Sequence, residues 1–355
     1  MNDTQLTVGT STQRPRRPLL RVCACTLALA IAFAVTGLGQ SRGAGSAMAS
    51  RGVALTPANF PSHSATDVDN MFKLGKELGT HAVFIYQWGQ PDLLSVARKM
   101  MDASRAAGLV PIIGLSPTTL TRNRGALDVP DQVRRAAGKR LSFGEKSVSD
   151  AYVRDVLELA KLKPPYLCLA TEINMLALAN LKEYLEFAKA YKQLYPLVKK
   201  TSPDTKVFVS FQWDIIRMMG VKEPDRIREH TKQIEVFRPQ LDLVALTSYP
   251  AELFDTPAQV PADYYDGILQ HVQRNEDVMM MEIGWPATGK GTEQEQVAFI
   301  ERLPALFGKV KPSVLAWSLL HDVRLAAFGD DLASTGLADT KGRHKPAFEA
   351  FKQIR

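Results

Sequence analysis

VMMMEIGW, Val278–Trp285, is the stretch whose reading decides the fold. Four apolar residues run without a polar break into a lone carboxylate, Glu282, and Pro286 and Gly289 then mark a loop. A strand with one face in water alternates apolar and polar residues, whereas a strand covered on both faces does not. The stretch therefore reads as a strand buried between layers, with Glu282 where the chain returns to solvent.

Seven more runs of this kind lie in the chain: GVALTP (Gly52–Pro57), AVFIYQW (Ala82–Trp88), LVPIIGL (Leu109–Leu115), YLCLATE (Tyr166–Glu172), KVFVSFQW (Lys206–Trp213), LDLVALTSY (Leu241–Tyr249) and SVLAWSL (Ser313–Leu319). Helical patterns separate them. Leu181, Tyr184, Leu185, Ala188, Tyr191, Tyr195 and Val198 keep helical spacing behind Asn180 as cap. Val153, Val156, Leu157 and Ala160 do so behind Ser149. Val297, Ile300, Leu303 and Phe307 do so behind Thr292 and Glu295, a capping-box pair. Most strand starts are about 30–40 residues apart, one β-loop-α unit. Eight such units predict a single (β/α)8 TIM barrel over residues 50–355. A doubly wound open sheet announces a Gly-rich turn after its first strand, and GVALTPANFP offers none.

Residues 1–49 read as a separate segment. Arg14, Arg16, Arg17 and Arg21 precede the uncharged CTLALAIAFAVTGL (Cys25–Leu38), and small residues follow, with Ala47 and Ala49 forming an A-x-A. This is the pattern of a signal peptide, and the apolar run falls short of the ~20 residues that span a bilayer. The expectation is export, periplasmic or extracellular, with cleavage near Ala49. The alternative is a membrane anchor over residues 16–38, the only membrane contact foreseen. The five arginines of this segment against Asp3 carry +4 of the chain's +7, which leaves about +3. That balance gives no reason to expect a nucleic-acid partner. Cys168 is the one cysteine past the segment, so no internal disulfide or cysteine metal site is expected.

Barrel sites form at the C-terminal ends of strands. Those ends carry Gln87 and Trp88, Glu172 and Asn174, Gln212 and Trp213, Tyr249, Glu282 and Trp285, and Trp317 with His321 and Asp322 beyond it. All four tryptophans of the chain, Trp88, Trp213, Trp285 and Trp317, fall there. An indole at a barrel mouth either plugs it or offers a flat face to a sugar ring, and four out of four favour the sugar platform. Glu172 and Glu282 end the fourth and seventh strands, which face each other across the mouth. Glycosidic cleavage needs two such carboxylates, one to protonate the leaving oxygen and one to attack or stabilise the anomeric carbon.

These residues resemble the clan A retaining glycoside hydrolases, which are (β/α)8 barrels. LATEIN is similar to their strand-4 motif and MMEIGWP to the strand-7 motif of plant-type β-glucanases. LDLVALTSYP is similar to strand 6 of endo-galactanases, and VLAWSL to strand 8, whose Trp floors the sugar site. The resemblance implies Glu172 as acid/base and Glu282 as nucleophile, with Tyr249 touching the nucleophile. It implies a carbohydrate substrate with β-glycosidic bonds and no cofactor. Many members carry Asn just before the acid/base to grip the sugar 2-hydroxyl; here that residue is Thr171, which leaves Asn174 or Gln212 to supply the amide. A barrel that binds glycan in an envelope polysaccharide system without cleaving it is the alternative, and Thr171 favours it. A metal-dependent hydrolase needs clustered ligands, and of the six histidines only His321 sits near a strand end.

A long insertion separates the third and fourth strands. It carries Arg122, Arg124, Arg134, Arg135, Lys139, Arg140 and Lys146 against Asp128, Asp131 and Glu145. A positive loop over the mouth would favour an anionic glycan; the plainer reading is a solvated loop.

Overall fold

The computed structural model describes residues 50–354 except 122–123, 223–231, 275 and 326–327, so the signal or anchor segment, like Arg122, lies outside the described residues. Strands β1 (Ser50–Ala54), β2 (His81–Gln87), β3 (Val110–Ser116) and β4 (Tyr166–Cys168) pair in parallel in chain order. The fifth strand, β5, has two short ladders on either side of Val209, Lys206–Phe208 and Ser210–Gln212. β6 (Leu243–Ser248), β7 (Asp277–Ile283) and β8 (Val314–Trp317) complete the set, again all parallel.

The first half of β5 pairs with β4 and the second half with β6, while β8 pairs with β1. Nine ladder segments are thus eight strands, and the sheet closes on itself as a (β/α)8 barrel. Closure leaves no unpaired edge.

The two faces of each strand are both buried, as the unbroken apolar runs require. On β2, Phe84 meets Phe72 of helix Ala65–Leu78, and Trp88 just beyond it meets Tyr152 of helix Lys146–Lys161, so this parity points out to the helices. Ile85 has the other parity. Around Gly114 of β3 lie Ile85, Met281 of β7 and Thr171 past β4, and a Cβ there would come within 2.8 Å of the Met281 methyl. Four strands meet at that missing side chain inside the barrel.

Helices Leu93–Ala106, Leu181–Thr201, Trp213–Lys222, Glu293–Leu306 and Pro346–Gln353 continue the outer layer. Asn180 and Thr292 each accept the N–H three residues on, as their helical patterns predict. Helix Lys146–Lys161 starts three residues before the expected Ser149. Past β6, residues 250–271 make 3₁₀ turns at Pro250–Glu252, Pro257–Gln259 and Asp266–His271. Pro250, Pro257 and Pro261 supply no N–H, which works against an α-helix there. No helix among the described residues is long and apolar enough to cross a membrane.

Candidate active site

The site starts from an irregularity in β7. Against β6, Leu246 pairs with Met280 but Thr247 with Glu282; against β8, Met280 pairs with Leu315 but Ile283 with Trp317. One extra residue is therefore inserted between Met280 and Ile283, a bulge. Its effect follows from parity. Trp317 packs outward on Phe299 and Phe351 of the helix layer, so its partner Ile283 also faces outward and Glu282 faces inward. Met281, at Gly114, faces inward too. Strict alternation would have turned Glu282 out among the helices; the bulge turns it into the mouth.

Glu172 arrives differently. It lies past the end of β4, in the turn that follows Cys168, and has left-handed backbone, φ 51° and ψ 40°. For a non-glycine residue that costs roughly 1–2 kcal/mol. Three contacts hold it there: its N–H donates to Ser210 Oγ (3.0 Å), Thr247 Oγ1 donates to its Oε1 (2.8 Å), and Arg124 pairs with its Oε2 (2.6 Å). Thr247 shares a face with Glu282, its register partner. Glu282 in turn accepts the Tyr249 hydroxyl at 2.8 Å.

Arg124 reaches the site because the insertion doubles back. Thr118 and Leu127 form an antiparallel bridge, Thr119 N–H bonds to Ala126 O, and Asp128 N–H bonds to Pro117 O. With its amide nitrogen turned toward the acceptors, Gln87 donates to Thr118 O (2.8 Å) and Asp128 Oδ2 (3.2 Å), which ties this excursion to the end of β2. Of the other loop cations, Arg140 pairs with Glu145 and Lys146 with Asp150, both on the surface. Arg124 is the cation that the described loop delivers to Glu172.

The two carboxylates repel. Burial first, then the Glu172 charge, lift the Glu282 carboxyl to about 7, against the opposing pull of the Tyr249 hydrogen bond and of Arg124. The donors are unevenly shared: Arg124 and Thr247 both serve Glu172, and Tyr249 serves Glu282. Burial, then Glu282 and Glu172, hold the Tyr249 hydroxyl well above its ordinary range, so it stays a donor.

The lifted carboxyl makes Glu282 a cost to stability. Its folded value exceeds that of an unfolded glutamate, so stability falls as pH rises from the ordinary carboxylate range through about 7. Glu282→Gln is expected to be more stable than the parent by on the order of 2–3 kcal/mol at pH 8, with the gap closing near pH 4. Denaturant melts at both pH values measure this; equal stabilities at pH 8 would contradict it.

The structure corrects the expectations for the tryptophans and for Asn174. The tryptophans form no open platform. Trp88, Trp285 and Trp317 are 0% exposed and Trp213 is 2% exposed. Trp88 stacks on Phe143 and donates to Asp155, Trp213 donates to Tyr264 O, and Trp317 donates to Thr335 O. Trp285 packs on Phe299. They seal the barrel against its helix layer, because their strand parity is outward. Trp317 in particular does not floor the mouth. Asn174 is also committed: its amide donates to Gln212 O (3.0 Å) and accepts from Gln212 N–H (2.8 Å), stapling the turn after β4 to β5. Gln212 faces inward beside its register partner Thr247. His321, 2% exposed, places Nδ1 2.7 Å from Thr56 O, and no cluster among the described residues has the make-up of a metal site.

Sequence reading missed Ser210, Thr247 and the placement of Arg124. Thr247 carried a signal: two residues before Tyr249 on a strand, it shares that residue's face.

No protein-family model and no curated protein matches the chain. Solved structures do. A variant of GH5_18 from Streptomyces cattleya in complex with Manβ1-4GlcNAc aligns at 16% identity and TM-score 0.69, over 86% of this chain and 79% of that one. An exo-β-1,4-mannosidase from Opitutaceae bacterium strain TAV5 aligns at 15% and 0.64, over 86% and 59%. A fungal β-1,4-galactanase aligns at 15% and 0.61, over 87% and 100%. At these identities the likeness establishes the barrel architecture.

Proposed function

We propose that the protein is an exported glycosidase that cleaves β-glycosidic bonds by double displacement, with Glu172 as acid/base and Glu282 as nucleophile. The observation that carries this is the convergence of the two glutamates at one mouth, each reached by a local departure from regular structure. A bulge turns Glu282 inward, and a left-handed residue turns the chain at Glu172. Backbone strain and bulges persist where function selects them.

The geometry supports each step of such a reaction. Glu282 attacks the anomeric carbon as a carboxylate, and Tyr249 stabilises that form by donating to it. Glu172 protonates the leaving oxygen, then takes the proton from water in the second step. In the free protein the Glu282 carboxyl is lifted to about 7, and Arg124 pairs with Glu172.

One observation favours binding without cleavage: Thr171 Oγ1 is buried with no hydrogen-bond partner among the described residues, where an amide would grip the substrate. A panel of glycans separates the two readings. β-1,4-Mannosides and β-1,4-galactans come first, as the sugars named for the structural neighbours, with uronate-containing glycans added because Arg124 lies at the mouth. Hydrolysis is expected on at least one, seen as new reducing ends absent with Glu282→Ala. Saturable binding with no new reducing ends would favour the glycan-binding reading.

A further inference from the structure

One buried carboxylate near the mouth plays no part in the two-glutamate chemistry. Asp214 follows β5 in the first turn of helix Trp213–Lys222 and is 1% exposed. Its Oδ1 accepts from Ser248 Oγ (2.9 Å) and Tyr264 Oη (2.7 Å), and its Oδ2 accepts from the Tyr249 backbone N–H (2.6 Å). The Ser248 hydroxyl also lies 2.9 Å from Tyr265 Oη. The Arg217 guanidinium, from the same helix, lies 5.3 Å over the Tyr264 ring.

Parity gives this cluster its meaning. Ser248 pairs with outward-facing Ile283, so its side chain belongs to the helix side of the wall. Tyr249, the next residue, sends its ring inward to Glu282. The strand ends there: Tyr249 has φ −133° and ψ 74° and leads into the turn Pro250–Glu252. Its N–H has lost the ladder and needs another acceptor. Asp214 is that acceptor, and it grips the preceding side chain with its other oxygen. A fully buried acid with three donors is costly to build for packing alone.

We propose that Asp214 is a positioning residue that clamps Ser248 and Tyr249 from the helix side and so fixes the Tyr249 hydroxyl on Glu282. Gly284 fits the same design. A Cβ there would come within 2.5 Å of Ser318 Oγ and 3.2 Å of the Tyr249 ring, so the absent side chain leaves room for both beside β7's end. The inference depends on Tyr249 and Glu282 being a functional pair, yet its test needs no turnover.

The test reads the Glu282 carboxyl by NMR with carbon-13-labelled glutamate, in the full chain. The titratable and charged groups around that carboxyl are Glu172, Tyr249, Arg124 and the buried Cys168 thiol. Tyr249→Phe removes the one donor that bonds to it and is expected to move its titration upward by about one pH unit. Asp214→Asn keeps the shape but removes the charge and one of the two acceptor oxygens that hold Ser248, Tyr264 and the Tyr249 N–H. It is expected to give a shift in the same direction, and the double variant is expected to shift no further than Tyr249→Phe alone. If Asp214→Asn does not fold, Ser248→Ala loosens the same clamp and is expected to give a smaller upward shift. An unmoved titration in the folded single variant, or a double variant that shifts by the sum of both, would overturn the proposal. If no glycan is cleaved but the shifts appear, the glycosidase reading fails and the clamp stands.

Discussion

Glu282→Ala is expected to lose essentially all turnover, by at least about 10⁴-fold in kcat, because the proposed double displacement makes Glu282 the group that forms the covalent intermediate. The loss is in chemistry and not in folding. Glu282 is electrostatically unfavourable where it sits, lifted to about 7 by burial and by Glu172, so removing it relieves repulsion. The variant should therefore fold at least as well as its parent and still bind glycan. The space left beside Tyr249 suits a small anion. Added azide is expected to restore activity on activated aryl glycosides and to give a glycosyl azide of configuration opposite to the natural product. A variant that keeps turnover, or one of parental stability and binding that azide does not rescue, would count against Glu282 as nucleophile.

Glu172→Gln carries the second large effect, and its size depends on the substrate. Protonation of the leaving oxygen is worth roughly 10²–10⁴-fold. A sugar leaving group needs it fully, so kcat/KM on natural linkages should fall by about 10³-fold. An activated aryl group leaves as a stable anion, so its first step should change little. The pH dependence should change as well. The Glu172 charge is the second-largest cause lifting Glu282. Without it the nucleophile ionises more readily, and the acid limb of kcat/KM on aryl glycosides should move to lower pH. Arg124, by contrast, favours ionised Glu282, so Arg124→Ala should move that limb upward. Equal losses on both substrate types, with an unmoved acid limb, would deny Glu172 the role of acid/base.

The barrel was legible because burial on both faces leaves a mark on composition. Runs such as VMMMEIGW and LDLVALTSY have no polar alternation to confuse with a half-exposed sheet, and their spacing fixed the connections. The two glutamates were legible for a related reason: a carboxylate ending an apolar run is costly unless it faces water or a site. What escaped was the facing of individual side chains. Parity puts Trp88 and Trp317 among the helices, and sequence alone did not register where each strand begins its alternation. The bulge at Met281 was equally hidden, since an inserted residue in MMM changes no pattern. Arg124 lies far from Glu172 in sequence, and only the folded excursion of residues 117–128 joins them. Asp214 sat beside Gln212 and Trp213 in plain view, but its partners come from β6 and the following 3₁₀ turns, contacts that local pattern does not report.

The central claim is that Glu282 becomes covalently bonded to the sugar. Its most direct test is to incubate the protein with activated 2-deoxy-2-fluoro β-glycosides of the sugars found in the panel, then weigh the intact chain and map the modified peptide. The account predicts one fluoroglycosyl adduct on the peptide carrying Glu282, absent in Glu282→Ala and present in Glu172→Gln. An unmodified chain that nonetheless hydrolyses the parent glycoside, or an adduct on Glu172, would contradict it.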